Sequence, residues 1–113
     1  MLKPLVLGAT LLCAHTVDVE AHSRYRNRAW CGSYMAKYFG ISDPRLAVAR
    51  MWASVGVNAG GPAIGAIVVW SHHVGVITGR TAGGEWIVHS GNDGGAVRTR
   101  PRAVTRAIAF RRL

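Results

Sequence analysis

Three residues of reactive type stand where a fold could bring them together: Cys31, His73 and His89. His73 opens an apolar run bounded by glycine, and His89 ends a second apolar run after a glycine-containing connector. Two β-rich runs joined in this way predict a hairpin, in which the start of one strand and the end of the next are neighbours. We therefore expect the two imidazoles to lie side by side, with Cys31 supplied from upstream as the nucleophile.

The segment around Cys31 has the pattern of a short helix. Between residues 29 and 39 the apolar side chains recur at helical spacing, and Gly40 follows as a stop signal. Cys31 would then lie in the first turn. There the unpaired backbone N–H groups and the helix dipole favour a thiolate, so we expect the pKa of the Cys31 thiol to be lowered.

A thiol becomes a useful nucleophile when a base lies beside it and a third group orients that base. We assign Cys31 as the nucleophile, His73 as the general base and then acid, and His89 as the orienting residue. The N–H of Cys31, with Tyr25 or Ser33, would form the oxyanion hole. This chemistry would pass through an acyl-enzyme thioester that water resolves, and it uses no cofactor and no metal.

The chain resembles the NlpC/P60 and CHAP papain-like superfamily of cell-wall hydrolases in four motifs that occur in the family's order. The resemblance spans residues 25–112, and its end is similar to a small phage- and prophage-associated branch. It implies a papain-like core and hydrolysis of an amide bond in peptidoglycan, as an endopeptidase or an amidase. The segments that carry it are Trp30–Ser33, Gly65–Trp70, His73–Gly79 and Ile87–Ser90, followed by Gly91, Asn92, Val97 and residues 109–112.

Two positions depart from the family's pattern. Ala66 stands where many members have Asp, and Asp93 follows Asn92 where the branch has Gln. The third catalytic residue therefore has two candidates, His89 and Asn92. We favour His89 because it directly ends its strand.

The remaining patterns predict an α+β domain with N-terminal helices packed on an antiparallel sheet of about five strands. A second helix is expected from the capping sequence at Ser42-Asp43-Pro44 to about Ser54. The strands are expected at residues 66–70, 73–79, 85–90, 96–100 and 106–111.

Residues 1–21 have the layout of a secretory signal peptide, with a positive start, an apolar stretch and a cleavage site after Ala21. Residues 22–113 would then form one hydrolase domain, secreted or periplasmic. The apolar stretch is too short for a transmembrane segment, which needs about 20 residues. The alternative is an N-terminal helix packed on the domain.

The formal net charge of +9, carried mostly by arginine, favours anionic partners such as an envelope polymer. No recognition helix accompanies the basic residues, so we expect no specific binding of nucleic acid. Two alternatives to the hydrolase stay open. One is a basic binding domain of the same fold without turnover, and the other is a zinc site made by Cys31, His73 and His89.

Overall fold

Six antiparallel strands form one sheet, and the helices pack on one of its faces. The computed structural model describes residues 30–113, so the predicted signal peptide and the oxyanion candidate Tyr25 lie outside the described residues. The strands are β1 (Val57–Asn58), β2 (Ile67–Val69), β3 (Val74–Arg80), β4 (Trp86–Asp93), β5 (Ala96–Pro101) and β6 (Ala109–Arg112). Their order across the sheet is β1-β6-β2-β3-β4-β5. The predicted α+β class is confirmed, and β1 adds a sixth strand that its two exposed residues did not indicate.

The helix α1 (Cys31–Phe39) agrees with its prediction. Cys31 and Met35, one turn apart, are both fully buried against the sheet. Gly40 ends the helix with φ +71°, a left-handed conformation that glycine adopts without steric cost.

The predicted helix from residue 42 to 54 is wrong in type. Two 3₁₀ helices, Pro44–Ala47 and Ala49–Ser54, replace it, and Val48 between them is extended. The side chain of Asp43 accepts the backbone N–H of Arg45, so the predicted cap is present. The buried indole of Trp52 donates to the Leu46 carbonyl oxygen at 2.8 Å, and this oxygen would accept a backbone N–H in a continuous α-helix. Packing of Trp52 therefore overrides the local helical pattern.

Strands β3 and β4 form the predicted hairpin, and their register decides which side chains meet. His89 pairs with Val76, whose side chain lies in the core cluster on the helix side. Val88 and Ile77 lie in a second cluster on the other face. Because side chains alternate along a strand, His89 faces the helix and Ser90 faces away from it.

Candidate active site

Cys31 lies at the first position of α1, in the core between the helix and the sheet. Its side chain is 0% exposed, and its Sγ–H donates to the carbonyl oxygen of His72 at 3.9 Å. That carbonyl belongs to the peptide that joins His72 to His73. The fold therefore brings the sulfur to the backbone carbonyl of His72, 41 residues further along the chain and next to His73.

The expected lowering of the Cys31 pKa is wrong. Burial raises the pKa of this thiol, since a thiolate loses its hydration in the core. The backbone N–H group of Val74 in β3, and then those of Gly32 and Cys31 at the start of α1, act in the opposite direction, but they do not outweigh burial. At neutral pH the group is therefore a thiol.

His73 precedes β3, and its ring turns toward Ser90. A hydrogen bond of 2.9 Å joins His73 Nε2 to Ser90 Oγ, and the ring of Trp70 lies 5.6 Å away between centroids. Burial, and then the positive charge of Arg102, lower the pKa of His73 to about 4. The imidazole is therefore neutral at physiological pH and able to accept a proton.

His89 lies on the helix side of the sheet in a separate set of hydrogen bonds. Strand pairing places it opposite Val76, three residues beyond His73, so the expectation that the two imidazoles lie side by side is wrong. The Nε2 of His89 is 2.7 Å from the Tyr34 hydroxyl, and its Nδ1 is 2.7 Å from Thr99 Oγ1. The rings of Tyr34 and Tyr38 both pack against the imidazole. The role of His89 as third catalytic residue stays a prediction, but the contact with His73 that this role requires is made here by Ser90.

The other candidate residues lie around this centre. Asn92 is in β4 where the pairing with β5 shifts, with φ +53°. Ser33 lines a cleft between α1 and the first 3₁₀ helix, away from the surface that contains His73. His72, next to His73, is exposed.

A cleft of about 770 Å³ opens directly at His73. Its lining residues come from the β2–β3 turn and from the segment between β5 and β6: Trp70, Ser71, His72, His73, Arg102, Thr105, Arg106 and Ala107. One wall is held in place by a buried carboxylate, Asp93, which binds both Arg100 and Arg102. The hydrogen bond from Arg100 holds the pKa of Asp93 below its usual range.

Sequence reasoning missed Ser90 and Arg102. For Ser90 a signal existed, because alternation along the strand places it on the opposite face from His89. For Arg102 none existed, since its contacts with Asp93 and Trp70 join distant segments of the chain.

Among residues 30–113, no group of three or more His, Cys, Asp or Glu side chains is arranged to hold a metal ion. In the same part of the chain, none of the helices has both the length and the apolar character needed to span a bilayer.

Comparison with family models, with curated proteins and with solved structures finds no match to this chain. The resemblance to the NlpC/P60 and CHAP superfamily therefore depends on the four motifs alone.

Proposed function

We propose that this protein is an exported, papain-like cysteine hydrolase that cleaves amide bonds in peptidoglycan, with Cys31 as nucleophile and His73 as base. The observation that carries the proposal is the contact of the Cys31 sulfur with the peptide leading into His73. A helix-borne thiol and a strand-borne imidazole, distant in sequence and close in the fold, form the basis of papain-type catalysis. The cleft at His73 provides space for a peptide.

The protonation states of Cys31 and His73 favour a mechanism in which the proton moves as the sulfur attacks the substrate, and not one that starts from a thiolate–imidazolium ion pair. The Cys31 pKa is raised and the His73 pKa is about 4, so both groups are neutral at pH 7. In the reaction, Sγ–H turns from the His72 carbonyl to the free edge of the His73 ring. His73 takes this proton as Sγ attacks the amide carbonyl, then delivers it to the leaving amine. Water then hydrolyses the resulting thioester.

Ser90 is proposed as the residue that orients His73, because its Oγ lies 2.9 Å from His73 Nε2. The Nε2–H would donate to Ser90 Oγ, which leaves Nδ1 as the proton acceptor. Ser90 is itself 0% exposed, whereas His73 is half-buried at the cleft.

Replacing Ser90 by alanine should lower kcat about tenfold with little change in KM, because a partly buried ring nitrogen loses its partner, which costs about 1–3 kcal/mol. Steady-state hydrolysis of solubilised peptidoglycan measures this. Ser90→Thr keeps the hydroxyl and should recover part of the rate. If Ser90→Ala changes neither kcat nor the pH at which the rate falls on the acid side, Ser90 does not position His73.

The pH dependence follows from the neutral state of His73. Its pKa of about 4 predicts that kcat/KM falls only as the pH drops through about 4, because the imidazolium formed there cannot accept the thiol proton. An unperturbed histidine would place this limb near 6.5. Rates measured from pH 3 to pH 8 at constant ionic strength decide between the two values.

The proposal is tested by incubating purified sacculi with wild type and with Cys31→Ala, and by analysing the released fragments by mass spectrometry. Wild type should release fragments with new amine and carboxyl ends, and Cys31→Ala should release none. Their masses also show whether the bond is at N-acetylmuramoyl-L-alanine or in a peptide cross-link. Equal release by both proteins would refute the hydrolase.

A second candidate, a basic binding domain of the same fold without turnover, is favoured by one observation. Cys31 is 0% exposed, whereas a nucleophile must reach its substrate. This candidate predicts that wild type and Cys31→Ala sediment equally with sacculi and that added salt weakens the binding of both proteins. Neither protein should release fragments.

A further inference from the structure

The residues that line the cleft at His73 carry only positive charge. Two of its lining side chains, Arg102 and Arg106, are cationic, and none of its lining residues is acidic. The carboxylate that pairs with Arg102, that of Asp93, is 3% exposed and is also bound by Arg100. The cleft therefore carries positive charge that its own walls do not neutralise.

The two arginines differ in how firmly they are held. Arg102 lies 3.3 Å from Asp93 and its guanidinium stands 5.0 Å from the centre of the Trp70 ring, so its position is fixed. Arg106 is exposed and makes no ion pair with the residues in 30–113. A ligand can therefore bind Arg106 without breaking an ion pair. Arg102, which is held in the wall of the cleft, adds the electrostatic attraction of its positive charge.

We propose that this cleft is a substrate subsite for a free carboxylate, carried by the peptide close to the scissile amide. Arg106 would donate two N–H groups to the carboxylate, the paired geometry that a guanidinium offers. Trp70 would pack against the apolar part of the same residue. This inference rests on the proposed hydrolase function. His73 lines the cleft and Cys31 does not, so the scissile amide must extend past His73 to reach the sulfur.

A peptide carboxylate fits these observations better than a phosphate of an envelope polymer. The cleft is open to solvent, and its volume of about 770 Å³ is within the range of sites for small ligands. The cleft combines an aromatic side chain with two guanidinium groups, which suits a compact ligand with one carboxylate. An extended polyphosphate would instead need a row of positive side chains along the surface.

The test compares two peptides that differ only in charge, N-acetyl-alanyl-glutamate and its diamide, binding to the full chain carrying Cys31→Ala. NMR titration should show the dicarboxylate binding about fivefold more tightly, as expected for one partly exposed ion pair. The shifted signals should include the Trp70 indole and the His73 ring. Adding Arg106→Gln should remove the preference, and adding Arg106→Lys should keep part of it.

Arg50→Gln is the matched control, since Arg50 is also exposed but lies in the second 3₁₀ helix, outside the cleft. The subsite is overturned if the two peptides bind equally, or if Arg50→Gln reduces the preference as much as Arg106→Gln does. It is also overturned if inorganic phosphate displaces the dipeptide at equal concentration. If the carboxylate preference holds while wild type releases nothing from sacculi, the cleft is a carboxylate-binding site but not a substrate subsite, and the hydrolase fails.

Discussion

His73→Ala should lower the rate of fragment release from sacculi at least a hundredfold. His73 is the only proposed group able to take the Cys31 proton, and general acid–base catalysis contributes about 10² to 10⁴ in rate. The raised pKa of Cys31 strengthens this expectation, because a thiol without its base supplies little thiolate at neutral pH. Initial rates at pH 7, with fragments counted by chromatography, measure the loss.

The neighbouring histidine provides the control. His72 is exposed at the rim of the cleft, and its backbone carbonyl accepts from Cys31 whatever side chain the residue carries. His72→Ala should therefore retain activity within about threefold, a change below 1 kcal/mol. Equal losses in the two variants would mean that His73 has no special part in the chemistry.

Gly32→Ala should unfold the domain or leave it marginal. A Cβ atom at this position would lie 2.2 Å from the Leu46 carbonyl oxygen and 2.8 Å from that of Ala47. Both atoms are backbone, so relief requires α1 to move away from the first 3₁₀ helix. We expect a loss of about 3 kcal/mol or more, a large part of the 5–15 kcal/mol that holds a domain of this kind together.

Urea unfolding followed by tryptophan fluorescence tests this, with Gly83→Ala as the control. Gly83 is exposed in the β3–β4 connector, and its added Cβ would meet only the Thr81 hydroxyl, at 3.8 Å. The control should unfold within about 0.5 kcal/mol of wild type, as surface substitutions do. A stable Gly32→Ala variant would show that α1 does not depend on this close approach to hold Cys31.

The sequence predicted those features that local patterns determine. Helix α1 follows from side-chain spacing and from Gly40, and the β3–β4 hairpin follows from two apolar runs around a glycine-containing connector. The contact of Cys31 with the backbone beside His73 followed in outline, because a hairpin and a preceding helix pack against each other.

What the sequence did not predict depends on distant parts of the chain. The pairing of His89 with Val76 turns the His89 side chain toward Tyr34, and Ser90 is the residue that forms a hydrogen bond with His73. No local sequence pattern determines this strand register. The helix-terminus argument for Cys31 was correct about the local N–H groups and wrong about the pKa, because burial is a property of the whole core.

The most direct test of the proposed mechanism is the mass of the Cys31-containing peptide after acid quenching during sacculus digestion. We predict a fraction carrying the acyl group of the cleaved bond as a thioester, which hydroxylamine removes and which His73→Ala does not accumulate. Release of fragments by wild type while Cys31 remains an unmodified thiol at every time point would contradict the account.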